Sequence, residues 1–472
     1  MKTKSHSFNK LKDLALACFW FCLVGLPAFS QSLQLSLEEA LELALKHSPA
    51  LRSALLDVEA SQAKVYASHL RKLPQLGFMA SYQRLSEVPP SSVEMPNPFN
   101  PNSSITFEFP PSLLDHTNFS FNLQFPFFAG FRLSEAARLS ELNLQGRLLN
   151  LEQTKRTLIF EVRRAYWENL RAQENTRLLF ENLSLAQRYY ELTRDRQLQG
   201  TATQADLLNA LNRLKQAELD LSNAFLILKK AFLNFANLIG IDTGDFLAEN
   251  SRLLTNLLLS TDPLSFHFDK LPTDLDEKAL LALGLSRRPE LRQAQLLRET
   301  AQHNLSLAQA DFYPSLSLIG NITIADPNPR VAFQTESGNF TTTWSIGVQL
   351  TYNLGALPST FFENEAGLKN LAKSETDLER QQDLLTLDIQ SCILTVKELK
   401  LEVDLLEEMT KSAEENFRIM TERNRQGLIT ELELNTSRLA YLRARFQAFN
   451  SRINLAIAQA DLLRATALED LN

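Results

Sequence analysis

Glycine is scarce, with 14 residues in 472, and cysteine and methionine are scarcer still, with 3 and 5. A chain of this length would ordinarily divide into two or three globular domains, yet so few glycines leave few break points for such packing. The cysteines are Cys18, Cys22 and Cys392, too few for a disulfide framework. Sparse methionine gives no support for a copper-specific path. The six histidines (6, 47, 69, 116, 267 and 303) have no paired ligand spacing, and no G-x-S-x-G, P-loop or HExxH motif occurs. The expectation is therefore a protein that is not an enzyme, with no cofactor and no metal. Any energy it uses comes from a partner. A basic balance is also lacking: the formal charge is −7, which makes nucleic acid an unsuitable partner.

The first 30 residues read as a secretory signal peptide. Lys2, Lys4, Lys10 and Lys12 precede an apolar run from Leu14 to Leu26, and the small residues Ala28 and Ser30 follow, so cleavage is expected after Ser30. That run of 13 residues falls short of the ~20 that a spanning helix needs. Losing this stretch, with its four lysines and Asp13, takes the charge from −7 to −10 and removes Cys18 and Cys22. Cys18 sits inside the apolar core without a lipobox, which argues against its lipidation. Cys392 then stands alone, on a coiled-coil stripe with Ile389 and Val396, and reads as a packed core residue rather than a nucleophile.

The chain contains a repeat. His47-Ser-Pro49-Ala-Leu51-Arg52 is echoed by Arg287-Arg-Pro289-Glu-Leu291-Arg292, and Leu73-Pro74-Gln75-Leu76 by Tyr313-Pro314-Ser315-Leu316, both offset by 240. Gln199-Gly200 and Gln426-Gly427 are offset by 227, a 13-residue difference within the loops. Residues 31–240 and 276–472 are read as two structural repeats flanking a lateral, equatorial insert at 241–275. Each repeat should run helix, strand, loop, strand, long helix, tight turn, long helix.

The first helix opens on Ser36-Leu-Glu-Glu39, a capping box, and is expected to continue to about Lys72, before Pro74. From about Arg132 to Leu198 no proline occurs, so one helix of roughly 100 Å is allowed. Its stripe runs through 158, 162, 165, 169, 172, 176, 179, 183, 186 and 190, apolar except at Asn169 and Thr176. The returning helix repeats the spacing at 207, 211, 214, 218, 221, 225, 228, 232, 235 and 239, broken at Glu218. The second half does the same over Leu371–Met420 and Leu432–Leu463. Such sustained spacing predicts coiled-coil packing against neighbours in the chain and in other subunits.

Four stretches alternate with a period of two. Leu76, Phe78, Ala80 and Tyr82 share a face, as do Phe119, Phe121, Leu123, Phe125 and Phe127. The second half offers Leu316, Leu318, Ile322 and Ile324, then Trp344, Ile346, Val348, Leu350 and Tyr352. A soluble half-buried sheet alternates in the same way. In an exported protein without a spanning helix, the pattern predicts a transmembrane barrel with lipid outside and water inside. Four strands leave two open edges that hydrocarbon does not tolerate, so three copies closing twelve strands is the expectation. The seven prolines between Arg84 and Asp115 predict an irregular outer loop, and the segment from about Asp326 to Asn339 a shorter one.

With repeat, strand pairs and hairpins in place, the chain resembles the TolC-like outer-membrane efflux proteins over nearly its whole mature length. The marks are Leu-Glu-Glu-Ala-Leu (37–41) leading into Ser-Pro-Ala-Leu (48–51), Arg-Arg-Pro-Glu-Leu (287–291), the Leu-Pro-Gln-Leu strand entry, and the turns Gln-Gly-Thr-Ala-Thr (199–203) and Gln-Gly-Leu-Ile-Thr (426–430). The resemblance implies a mainly α fold with a small β part: long antiparallel helical hairpins forming a tunnel in the periplasm, and four transmembrane strands per chain closing as a twelve-stranded barrel in a homotrimer. It further implies outer-membrane lipid around the barrel, a periplasmic adaptor protein at the hairpin tips and an inner-membrane transporter as pump.

The family's paired carboxylates after the second tip would fall on Glu433 and, one turn on, on Thr436. The second acidic ring is thus missing here, with Glu431 as a partial substitute. Asp206 holds the matching place in the first hairpin, where a solvated first-turn aspartate is the plain alternative. Arg196, Arg423 and Arg425 stand just before the two turns as candidate latch partners. Gly200 and Gly427 read as helix C-caps, and with Thr201 and Leu428 they form the expected adaptor contact. The implied function is a passive exit duct for small toxic compounds. A duct for type I protein secretion shares the architecture, and a pore-free coiled-coil scaffold in the periplasm has no use for the strands.

Overall fold

The computed structural model describes residues 36–87, 92–99, 103–108, 113–240, 277–330 and 338–468. The leader expected at 1–30, Cys18 within it and the insert expected at 241–275 lie outside those residues. In chain order the elements are α1 (Leu37–His47), α2 (Pro49–Leu70), β1 (Gln75–Arg84), β2 (Ser92–Pro96), β3 (Ser104–Glu108), β4 (Asp115–Ala129), α3 (Arg132–Leu198) and α4 (Gln204–Leu238). There follow α5 (Glu277–Arg287), α6 (Pro289–Gln309), β5 (Ser315–Asp326), β6 (Thr341–Thr351), α7 (Leu357–Arg425) and α8 (Glu431–Thr466). The chain is mostly helical with a small sheet part, and no described helix is long and apolar enough to cross a membrane.

The capping box forms as expected: Glu39 N–H donates to Ser36 Oγ at 3.2 Å and Ser36 N–H to the Glu39 carboxylate at 2.9 Å. The helix it starts does not reach Lys72. It breaks at Ser48, whose φ of −61° and ψ of 120° are extended, because the ring of Pro49 disfavours helical geometry in the preceding residue. Arg288, before Pro289, does the same at φ −66° and ψ 127°. Both halves therefore begin with a short helix, a one-residue break and a longer helix.

β1, β4, β5 and β6 form one antiparallel sheet in the order β1-β4-β5-β6, which leaves β1 and β6 as edges. The register keeps the apolar sets on one face, with Phe78 opposite Phe121, Phe121 opposite Ile322 and Ile322 opposite Trp344. Phe78 and Phe121 bring their ring centroids within 4.9 Å. On the other face Asn321 Nδ2 donates to Asn122 Oδ1 at 2.6 Å. One expected position shifts: a bulge at Pro126/Phe128 sets Phe128, not Phe127, opposite Leu316. The loop from Arg84 to Asp115 also departs from expectation, since β2 and β3 pair within it, with Met95 opposite Ile105. Only Pro96 falls inside one of those two strands, at the end of β2, where a missing N–H is tolerated.

Among the described residues the chain forms two compact units, one of residues 36–48, 159–240 and 396–460, the other of 49–158, 277–395 and 461–468. In the first unit, Trp167, Leu170, Ile453 and Ala456 form a core, with Tyr166, Phe449 and Ile457 packed on it. Arg213 of α4 stands over the Tyr189 ring of α3, Arg171 of α3 donates to Asn454 of α8 at 2.6 Å, and Arg452 of α8 meets Glu407 of α7 at 2.5 Å. The helices thus follow each other as α4, α3, α8, α7. On α3 the stripe is buried from Leu158 to Thr176, including Asn169, and half-buried beyond it; Thr176 spends its hydroxyl on Ala172 O at 2.8 Å. On α4 half of the expected stripe is replaced. Ala210, Ala217 and Ala224 are buried with Leu214, Leu221 and Leu228, while Glu218 and Phe225 are exposed. Alanine once per heptad lets the neighbouring helix approach closely, so the bulkier positions turn outward.

In the second unit the sheet continues into four helices. Ser61 and Asp57 of α2 meet Asn143 and Arg147 of α3 at 3.4 and 3.6 Å. Glu135 of α3 meets His303 of α6 at 2.6 Å, and Gln309 of α6 donates to Asn364 of α7 at 3.1 Å. The helix order α2, α3, α6, α7 copies the strand order above it. A buried Arg288, only 3% exposed, reaches Asp388 at 2.7 Å and Glu290 at 3.4 Å. Nearby, Cys392 is buried with its Sγ 3.6 Å from Asp461, and burial first, then the neighbouring carboxylates, pushes its thiol up to about 12.

Candidate functional site

The two tight turns, α3 to α4 and α7 to α8, are built alike. Gly200 and Gly427 take φ of +73° and +72°, a left-handed conformation that L residues with a Cβ adopt only at a cost. In the first turn the Gly200 N–H donates to Gln197 O at 3.0 Å and the Thr201 N–H to Arg196 O at 2.9 Å. In the second, Gly427 donates to Asn424 O and Leu428 to Arg423 O, both at 2.9 Å. This pair of bonds is a Schellman closure, which satisfies the last carbonyls of a helix. The Thr201 hydroxyl adds a bond to Arg196 O at 3.0 Å. No atom stands within 4 Å of where a Cβ on either glycine would lie, and Leu198 and Leu428 are 79% and 69% exposed.

Each returning helix starts on a threonine capping box. Thr203 N–H and O–H donate to the Asp206 carboxylate at 2.9 and 2.7 Å, and Asp206 N–H donates back at 3.2 Å. Thr430 N–H and O–H donate to Glu433 at 2.8 and 2.9 Å, with Glu433 N–H returning at 3.3 Å. The hydroxyl and then the amide of Thr203 hold the Asp206 carboxyl below the usual range. For Glu433 the Thr430 amide leads and the hydroxyl follows. The two residues singled out as gate carboxylates are thus turned onto their own helix starts.

Across each turn a side-chain bond closes the hairpin: Gln197 Nε2 donates to Gln204 Oε1 at 2.5 Å, and Asn424 Nδ2 to Glu431 Oε2 at 3.3 Å. Of the arginines, Arg425 pairs with Glu422 at 3.6 Å within its own helix. Among the described residues no ion pair joins Arg196, Arg423 or Arg425 to Asp206, Glu431 or Glu433. Thr436 back-bonds to Leu432 O at 2.8 Å and adds no charge. Reading the sequence for pore charge missed Thr203, Thr430 and the cross-turn pair. The Thr-x-x-Asp and Thr-x-x-Glu spacing that reveals the caps was present in both turns.

Taken together, a short antiparallel sheet with an exposed apolar face, continued into helices of 67 and 69 residues that return through matched turns, defines a class of long helical-hairpin proteins that carry a small sheet. The sequence model of the family described as outer membrane efflux protein matches residues 40–241 and 280–468, and the chain belongs to that family. A probable efflux pump outer membrane protein, TtgC of Pseudomonas putida, is 24% identical over 337 residues, 67% of this chain and 66% of its own length. The fold is shared with the CmeC outer membrane channel of Campylobacter jejuni, at a TM-score of 0.72 and 18% identity, covering 91% of this chain and 85% of that one. A membrane protein from Pseudomonas aeruginosa gives a TM-score of 0.69 at 18% identity, covering 91% and 93%.

Proposed function

We propose that this chain is the outer-membrane exit duct of a tripartite efflux system. Three copies close their sheets edge to edge into a twelve-stranded barrel in outer-membrane lipid. The helices of the two structural repeats, 31–240 and 276–472, line a tunnel through the periplasm, and 241–275 forms a lateral insert between them. Transport through the duct is passive: an inner-membrane pump, coupled by a periplasmic adaptor protein, drives small toxic compounds outward. Gly200, Thr201, Gly427 and Leu428 contact the adaptor. Arg196, Arg423, Arg425, Asp206, Glu431 and Glu433 surround the periplasmic gate, where Asp206 and Glu433 act by holding the helix starts rather than as free charges.

The observation that carries this reading is the sheet. Its apolar face stays open to solvent in the single chain, with Trp344 68% exposed, and among the described residues both of its edges lack strand partners. A soluble protein leaves such a face uncovered only at a cost, whereas lipid accepts it and requires the edges to pair. Imaging of detergent-extracted particles is the test. Threefold particles with a detergent belt are expected; monomers, or particles without a belt, would remove the barrel.

A further inference from the structure

In the first unit, α3, α4 and Phe446 of α8 surround a groove of about 590 Å³. Pockets that take small organic molecules run from about 300 to 1,000 Å³. The space comes from small side chains, since Ala172 and Ala231 stand where bulkier residues would fill it, and Ile227 and Phe446 give it apolar walls. Polar side chains line it as well. Arg171 and Asn175 stand one turn apart on α3, and Lys230 and Asn234 one turn apart on α4.

Charge in this groove is out of balance. Its carboxylate, Glu168, accepts from Arg164 Nε at 2.9 Å and is thereby engaged on its own helix. Arg164 and Arg177 each have such a carboxylate, at 2.9 and 3.6 Å, but Arg171 between them pairs with none among the described residues. Its Nη2 donates to the neutral amide oxygen of Asn454 at 2.6 Å, and its Nε is buried without a hydrogen-bond partner. Burial pulls its pKa below the ordinary value; Glu168 offsets this only in part, and Arg164 adds to it. Lys230, exposed on α4, makes no ion pair among the described residues either. A half-buried cation without a counter-charge carries a desolvation cost that a bound anion would offset.

We propose that the groove binds a small amphipathic organic anion, an aryl or alkyl carboxylate or sulfonate. Its charged end lies between Arg171 and Lys230, where the amides of Asn175 and Asn234 donate to the remaining oxygens, and its apolar body rests on Ile227 and Phe446. An inorganic anion would leave those walls wet, and a neutral solute would leave Arg171 unpaired. All of these residues belong to one unit of one chain, so the site forms with or without the trimer.

Titration calorimetry on the full chain in a nonionic maltoside is the test, with a naphthalene sulfonate as probe and the naphthylmethanol of the same ring system as its uncharged counterpart. One sulfonate per chain is expected, bound about tenfold or more tightly than the alcohol. Arg171→Gln with Lys230→Gln should bring the sulfonate down to the affinity of the alcohol and leave the alcohol within about twofold of wild type. Ala231→Phe, which fills the groove, should abolish both. The sulfonate should also raise the thermal midpoint of the wild type and leave that of the double variant unmoved. Sulfonate and alcohol bound alike by the wild type, sulfonate binding that survives the double substitution, displacement by an equal concentration of inorganic sulfate, or no saturable binding would each overturn the site. The first comparison uses wild-type protein alone, so it decides even where a variant fails to fold.

Discussion

Thr430→Ala isolates what the second tip depends on. In the wild type the threonine hydroxyl accepts from Glu433 N–H and donates to the Glu433 carboxylate, at 3.3 and 2.9 Å. Alanine removes both bonds and leaves the backbone bond from residue 430 to Glu433, at 2.8 Å in the wild type. Loss of a threonine N-cap is worth about 1 kcal/mol, which is about a fivefold rise in the population with an open first turn. Hydrogen exchange of the amides of 431–434 reads that opening directly, and exchange deep in α8 should not change. The pH dependence supplies a second signature. Because the Thr430 amide and hydroxyl hold the Glu433 carboxyl below its usual range, its contribution is present above the unfolded value of about 4.3 and is lost as pH falls through the folded value. Wild-type protection of this turn should therefore weaken in acid, and Thr430→Ala should flatten that response. Exchange that is unchanged by the substitution, or that speeds up throughout α8, would refute the capping argument.

Three further outcomes follow from the geometry. Gly427→Val places a β-branched residue at φ +72° in open space, so it should destabilise the tip by about 1–2 kcal/mol through backbone strain alone, read as faster exchange at 426–430 with no change in the sheet. Arg288→Met leaves Asp388 and Glu290 without their buried partner and should cost about 3 kcal/mol, less than a fully buried pair because Asp388 is part-exposed; a denaturant midpoint equal to wild type would contradict it. With its thiol pushed up to about 12 from an ordinary 9.0, Cys392 should react with maleimide roughly one to two orders of magnitude more slowly in the folded protein than after denaturation, and equal rates would place it at the surface.

Much of this structure was legible before any coordinates. The continuity of α3, Arg132–Leu198, follows from the absence of proline and its end from the Gln199-Gly200 turn, and the four paired strands follow from period-two alternation. The break at Ser48 was equally legible, since the proline rule that stops α2 before Pro74 applies to Pro49. Its omission came from letting a helical pattern run across a proline. The β2–β3 hairpin was hidden by prolines that lie mostly around the strands rather than in them. The buried alanines of α4 show a different limit, because heptad spacing gives the period of a stripe but packing distance decides which phase is buried. At the tips, Asp206 and Glu433 were found as acids, but their partners were not sought, so caps were read as free charge.

The sheet offers the most direct test of where this chain resides. Ser345 and Ile346 are neighbours on β6 that fall on opposite faces, with Ser345 opposite Asn321 and Ile346 opposite Gly320. In the proposed barrel an arginine at 346 would stand in hydrocarbon and cost about 2–4 kcal/mol in each copy, whereas one at 345 would face the water inside. Ile346→Arg should therefore block membrane assembly while Ser345→Arg assembles normally. A face buried against protein would also reject Ile346→Arg, so a second readout is needed. Trp344 lies on the apolar face and is exposed, while Trp167 is buried in the first unit. Reconstituted into bilayers whose acyl chains carry bromine, the protein should lose the Trp344 fluorescence and keep that of Trp167, with Trp344→Phe as the control. Quenching that persists in Trp344→Phe, or none in the wild type, would mean that the apolar face is covered by protein, and the strands would then belong to a soluble sheet.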